Sequence, residues 1–302
     1  MLHDLERIIV PDLDLEAFDH LSRLPRLQYL WLMSPEPPRY PPSPKDLPCF
    51  PSLRIFECES MEAAPNLLER TGKSLVQFEL SSRSWRVTPT KQMFRELYAA
   101  LASSCTHTLL KNITIDKPWR KPIEPTQLEL YVLSGEDLKS LLCFQNLVHV
   151  SLAHSVAVDL DDAVTLDMAR AWLRIEVLAF PSGESLHRIT PRMTVEGVSA
   201  FAEHCPLLRR LSILFDATSV PKPKLTLWRK KHRRASQRKL THLDVAYSAI
   251  GGNKKEWSRV ADFLRSIFPA LYRIEASKPD SSADHQVSAV YKAWMKVSAK
   301  FS

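Results

Sequence analysis

The chain has 302 residues, 45% of them hydrophobic and 25% charged, with a formal net charge of +7. That balance excludes intrinsic disorder and leaves ample apolar side chain for a core. The charge is uneven: nine Lys/Arg and no Asp/Glu lie between Lys222 and Lys239, so the remainder carries 7 − 9 = −2, and a globally basic nucleic-acid surface is not implied.

An apolar phrase of the form L-x-x-L-x-[L/I/V] runs through the whole chain. Its first anchors are Leu5, Leu27, Leu53, Leu75, Leu110, Leu147, Ile175, Leu208, Leu240 and Leu271, spaced 22, 26, 22, 35, 37, 28, 33, 32 and 31 residues apart. One strand-sized phrase per unit at this period predicts an α/β fold, a leucine-rich-repeat solenoid or horseshoe. It would have a parallel concave sheet, convex-side helices and about ten irregular repeats in a single domain, 1–302.

Taken in order, the chain opens inside a repeat phrase, Leu5/Ile8/Val10, with no polar cap before it. Helical spacing then predicts a helix over Asp14–Leu24, with Leu15, Phe18 and Leu21 or Ser22 inward. A Pro-rich loop, 35–51, follows, with eight prolines in seventeen residues; it cannot pair as a strand or continue a helix. Within it Pro37, Pro38 and Tyr40 match the P-P-x-Y pattern that WW domains read, although such four-residue strings arise by chance in proline-rich loops and a plain inter-repeat connector is the preferred reading. Thr71-Gly72-Lys73-Ser74 resembles the tail of a P-loop, but Leu67 stands where the upstream glycine is needed and a strand follows.

Further helices are predicted over Thr90–Cys105, Glu136–Phe144, Asp159–Trp172, Thr194–Cys205 and Arg259–Phe268. Asp159, Asp161 and Asp162 fall at a helix start, where capping accounts for them better than metal binding. The basic loop 221–239 contains Arg229, Lys230, Lys231, Arg233 and Arg234, a charge block too dense for a core. It reads as a solvated insertion, a nuclear-import signal or an anionic contact. An amphipathic C-terminal capping helix is predicted over 284–301, with Val287, Val290, Trp294 and Val297 on its apolar face.

The five cysteines form no C-x-x-C pair, so buried reduced thiols are expected and neither a disulfide framework nor a zinc site. With only six glycines a phosphate cradle is not expected, and no cofactor, metal or catalytic residue is assigned. No apolar run is long enough to cross a bilayer, and no basic-then-apolar leader opens the chain. A cytoplasmic and/or nuclear location without membrane association is the expectation.

Alternation along each strand places the residues between and just after the inward anchors on the open face of the sheet. Its columns hold Tyr29, Trp31, Met33, Glu57, Glu79, His149, Arg210, His242, Asp244 and Arg273 as candidate protein-binding residues. Three Arg against six Asp/Glu make the face formally −3, which disfavours nucleic acid there. At one end Ile9, Tyr29, Trp31, Met33 and Ile55 would form an apolar patch, either an interface hot spot or a surface covered by the Pro-rich loop. At the other, His242 and Asp244 have no Ser or Cys nucleophile on an elbow nearby, so ordinary cross-strand pairing is the reading and catalysis is not expected.

The stretches Asp159-Leu160-Asp161-Asp162, Met168-Ala169-Arg170-Ala171-Trp172, Phe201-Ala202-Glu203-His204-Cys205-Pro206, Leu214-Phe215-Asp216-Ala217 and Val260-Ala261-Asp262-Phe263-Leu264 resemble the divergent leucine-rich-repeat half of fungal F-box proteins. The resemblance implies a non-enzymatic protein-interaction scaffold, the substrate receptor of a ubiquitin ligase. No leucine-proline-led F-box pattern precedes Leu5, so docking to a cullin-ligase adaptor is not expected of this chain. The alternative is a nuclear or nucleic-acid-associated factor acting through residues 222–239.

Overall fold

The computed structural model describes residues 3–33, 49–83, 85, 88–116, 125–153, 157–180, 190–220, 237–278 and 285–301. Its first elements are β1 (Arg7–Val10), α1 (Leu15–Ser22), β2 (Tyr29–Leu32), β3 (Ile55–Cys58), α2 (Ala64–Thr71), β4 (Gln77–Leu80), α3 (Lys91–Ser104) and β5 (Asn112–Ile115). There follow β6 (Val132–Ser134), β7 (His149–Leu152), β8 (Ala157–Asp159), α4 (Asp162–Ala171), β9 (Val177–Ala179), α5 (Val195–His204), β10 (Arg210–Ser212) and β11 (Asp216–Ala217). The chain closes with β12 (His242–Asp244), β13 (Ala249–Ile250), α6 (Lys254–Ile267), β14 (Arg273–Glu275) and α7 (His285–Ser298).

Two compact units divide these elements. The first comprises Met1–Tyr131 and Asp137–Ser155, the second Val132–Glu136 and Val156–Ser302. In the first, β1, β2, β3, β4, β5 and β7 pair in that order, all parallel. In the second, β9, β10, β12 and β14 do the same. Each of these strands sits on one of the apolar phrases. Past the half-buried Leu5, Ile8 and Val10 of the first, buried anchors include Leu30, Leu53, Phe56, Leu75, Phe78, Leu110 and Ile113 in the first unit and Leu178, Leu208, Leu211 and Leu243 in the second. Alternation leaves the intervening residues half-buried on the other face. Their burial on one side only is what one layer of connections over a parallel sheet produces.

The connections between strands are unlike one another, and not every one carries an α-helix. β4 reaches β5 through the fourteen-residue α3. Of the stretch Glu136–Phe144, expected as a helix, all but Phe144 belongs instead to a 3-10 run over Gly135–Cys143, and Phe144 follows directly after it. Buried Leu138, Leu141 and Phe144 recur every three residues there, the 3-10 period, so the tighter winding aligns all three on the core. Two small parallel pairs that the repeat phrase did not announce, β6 with β8 and β11 with β13, lie in the second unit. Gly135, at the end of β6, admits no side chain: an added Cβ would meet Val164 at 2.7 Å.

Helix boundaries follow their caps. Asp14 accepts from the Ala17 amide at 2.7 Å and starts α1; Phe18 and Leu21 are buried, whereas Leu15, expected inside, is 40% exposed. Helix α6 begins five residues before the expected Arg259, because Asn253 accepts from the Lys255 and Glu256 amides while Glu256 reaches back to the Asn253 amide. That is a capping box. In α7, Trp294 is fully buried, donates to the Ser248 carbonyl at 2.7 Å and meets Phe215 edge-on at 5.8 Å. No helix among the described residues is long and apolar enough to cross a membrane.

The end of the basic loop is not solvated. Gln237 is buried; its carbonyl oxygen accepts from the amides of Lys239 at 2.8 Å and Leu240 at 2.6 Å, and its amide nitrogen donates to the Leu208 carbonyl. The end of the Pro-rich loop is likewise built in: Phe50 is buried at φ 53°, edge-on to Phe18 at 5.1 Å. The strained backbone is held by the ring's burial and by the Phe50 amide donating to the Ser22 carbonyl at 2.7 Å. Pro37, Pro38, Tyr40, Arg229, Lys230, Lys231, Arg233 and Arg234 lie outside the described residues.

Candidate functional site

Strand register assembles two distinct open faces, one in each unit. In the first, one row runs Arg7, Tyr29, Ile55, Gln77, Asn112, His149 and the next Ile9, Trp31, Glu57, Glu79, Thr114, Ser151. Met33, Glu59, Ser81 and Asp116 continue past the strand ends, their amides donating to the neighbouring strand. Arg7 opposes Glu57, Glu59, Glu79 and Asp116, so this face carries 1 − 4 = −3. In the second unit Arg210 and Arg273 balance Asp244 and Glu275, 2 − 2 = 0. All the excess negative charge of the open-face columns therefore belongs to the first unit.

Its carboxylates are crowded. Glu57 and Glu79 are direct register partners on adjacent parallel strands, about 4.8 Å apart along the hydrogen-bonding direction. Like charges placed this way repel. Burial raises the pKa of Glu79 above the ordinary carboxylate range, and the charges of Glu57 and Asp116 raise it further. Glu59 is raised mainly by burial, with Arg83 and the Trp31 indole offsetting part of the rise. The Tyr29 hydroxyl donates to Glu57 at 2.8 Å, and its own pKa is pushed up to about 12 by burial and by that carboxylate. Two cations flank the cluster through aromatic faces, Arg7 over Tyr29 at 4.2 Å and Arg83 over Trp31 at 5.4 Å. Ile9 is 41% exposed beside Trp31. The aromatic and acidic groups that the columns predicted are thus brought together; sequence reasoning missed Arg83, which stands after the strand phrase and outside its columns.

In the second unit the rows run Val177, Arg210, His242, Arg273 and Ala179, Ser212, Asp244, Glu275. They line a cleft of about 360 Å³. Asp244 accepts from the Ser212 hydroxyl at 2.8 Å and from the Ala246 amide at 2.9 Å. Burial raises its pKa, with those two hydrogen bonds pulling the other way. Arg273 is ion-paired to Glu275. The Thr241 hydroxyl lies 2.8 Å from His242 Nδ1, and Tyr272 packs edge-on to the imidazole at 5.2 Å. His242 and Asp244 do not touch as a catalytic pair; serine, carboxylate and backbone amide form their own closed group.

Of the three aspartates expected to cap one helix, only Asp161 caps it. Asp161 accepts from the Val164 amide at 2.9 Å at the start of α4, and Asp159 pairs with Arg192 at 2.7 Å. Asp162 reaches across to α5, accepting from the Thr194 amide at 2.8 Å, the Thr194 hydroxyl at 2.8 Å and the Gly197 amide at 3.0 Å. Among the described residues no group of three His, Cys, Asp or Glu side chains could hold a metal ion. Cys58, Cys105 and Cys205 are buried, and burial pushes each thiol up to about 12, which leaves them unreactive at neutral pH.

No family model matches the chain, and no curated protein matches it. Among solved structures, one that it is similar to is a sugar phosphate isomerase/epimerase from Parabacteroides distasonis, at 10% identity over 83% of this chain and 85% of that chain, with a TM-score of 0.23. The family expectation is corrected: no family model and no curated protein ties the chain to fungal F-box proteins. Withdrawn with it are the leucine-rich-repeat solenoid that the repeat phrase suggested, the non-catalytic ubiquitin-ligase receptor that the resemblance implied, and the alternative read from the basic loop, a nuclear factor acting through residues 222–239. The expectation that the chain is not an enzyme, which stood on that resemblance and on the lack of a recognised nucleophile, is withdrawn too. At a TM-score of 0.23 the neighbour lends this chain neither its fold nor its activity. The fold is described by its own elements, two α/β units with parallel strands.

Proposed function

We propose that the open face of the first unit receives a basic segment of a protein partner. The observation that carries this reading is the Glu57–Glu79 register pair, flanked by Glu59 and Asp116 and bordered by Tyr29, Trp31 and exposed Ile9. Adjacent like charges cost a sheet roughly 0.2–1 kcal/mol per pair. A Lys or Arg laid between them would remove that repulsion and gain charge-assisted hydrogen bonds, while the aromatic faces supply area at low entropy cost. Met33 and His149 border the same face at its two ends.

The test is a titration of the whole chain with fluorescent peptides of equal length, one Lys/Arg-rich and one Asp/Glu-rich. The basic peptide is expected to bind, with affinity falling as salt rises, and the double variant Glu57→Gln/Glu79→Gln is expected to weaken it at least about tenfold. Equal binding of both peptides, or an unchanged affinity in the double variant, would overturn the proposal.

A further inference from the structure

The second unit's cleft is electrically different from the acidic face and poses its own question. Three of its lining side chains, Arg210, His242 and Arg273, belong to register partners across three adjacent strands, so they rise from backbone positions about 4.8 Å apart. Their local partners differ. Arg273 is engaged with Glu275, but both side chains are more than half exposed, and such a pair is worth at most about 1 kcal/mol. His242 uses Nδ1 toward Thr241, which leaves Nε2 as its remaining polar atom. Arg210 is exposed and makes no ion pair among the described residues, unlike its chain neighbour Arg209, which faces Glu176 at 3.4 Å.

The negative groups of the cleft are committed elsewhere. Asp244 is tied to the Ser212 hydroxyl and the Ala246 amide, and Glu275 to Arg273. Arg210 beside His242 is therefore the uncompensated donor pair of the cleft, with Val177 and Ala179 forming an apolar wall next to it. A volume of about 360 Å³ is ample for a small molecule when a liquid water takes about 30 Å³.

We propose that this cleft binds a small ligand through an oxyanionic group, held by the Arg210 guanidinium and the His242 imidazole, with Arg273 able to turn from Glu275 toward it. A planar guanidinium presents two parallel N–H donors to such a group. Carboxylates and phosphates share this chemistry, and the experiment separates them.

The whole chain is titrated with inorganic phosphate and, separately, with propionate, following the His242 ring resonances and the Arg210 side-chain signals by NMR. Saturable binding of either ion up to roughly 10 mM, weakened at least about tenfold by Arg210→Gln, partly restored by Arg210→Lys and unchanged by Arg209→Gln, is the expected result. Whichever ion binds identifies the group. Because Arg210 is exposed and unpaired, Arg210→Gln should unfold at the same temperature as the parent protein, so lost binding cannot be ascribed to lost fold. No saturation with either ion, or equal affinity in Arg210→Gln, would overturn the proposal. Both outcomes are independent of peptide binding at the first unit.

Discussion

Replacing Gln237 with Leu tests how the second unit is tied together. Leucine has nearly the volume of glutamine, so the substitution keeps the packing and removes only the polar head. Three backbone groups then lose their partner at once: the Leu208 carbonyl ahead of β10 and the Lys239 and Leu240 amides ahead of β12. Leaving a buried polar group unpaired costs about 1–3 kcal/mol. Leu208 and Leu240 are fully buried, whereas Lys239 is exposed and its amide can turn to water. Two costly orphans at the middle of that range, less what the added apolar surface returns, come to about 3 kcal/mol. Urea unfolding should show the midpoint falling with an unchanged slope, and amide exchange at Leu240 should speed up with it. A loss below about 1 kcal/mol, or protection at Leu240 equal to that of the parent, would refute the reasoning and mean that the turn is held by its apolar neighbours alone.

Further outcomes follow from the same hydrogen bonds and charges. Asp162→Ala should cost about 2 kcal/mol, because one carboxylate satisfies the Thr194 and Gly197 amides at the start of α5, while Asp162→Asn, which keeps one acceptor, should cost less; thermal melts order the pair. Gly197→Ala should destabilise by about 1–3 kcal/mol in the same melts, since its Cβ would stand 2.6 Å from Met193 and 2.7 Å from Asp162. Glu59, Glu79 and Asp244 all have raised folded-state pKa values. In the window between the ordinary carboxylate value and the raised one, the folded chain binds more protons than the unfolded, so their contribution to stability falls as pH rises through it. Glu79→Gln should flatten that slope and raise stability slightly at neutral pH; a steeper slope in the variant would contradict the assignment. Binding of a basic peptide has the opposite sign, since it needs the ionised form: it should weaken as pH falls, and begin to do so at a higher pH than for ordinary exposed carboxylates.

Much of the architecture could be read before any coordinates. The phrase L-x-x-L-x-[L/I/V] placed β1 to β5, β7, β9, β10, β12 and β14, because alternation of period two in a buried parallel strand leaves a dense apolar signature. Inward Phe56, Phe78, Ile113, Val150 and Leu211 are core for that reason. The connections were harder. Leu138, Leu141 and Phe144 suit an α-helix and a 3-10 turn almost equally over nine residues, and the short strands β6, β8, β11 and β13 carry only two or three residues each, too few for periodicity to register. Gln237 lay unseen inside a basic run, since nothing local distinguishes a buried glutamine from a solvated one.

Composition, strand phrases, caps and the column each side chain occupies are local properties, written in spacing a few residues long. Which columns become neighbours is not local. Summed over all ten strands the open-face columns carry one modest charge of −3; pairing of strands within each unit gathers Glu57, Glu59, Glu79 and Asp116 on the face of the first unit, with Glu57 next to Trp31, and leaves the columns of the second unit balanced. Proximity across strands depends on register between segments some thirty residues apart, and register is set by the packing of the whole core.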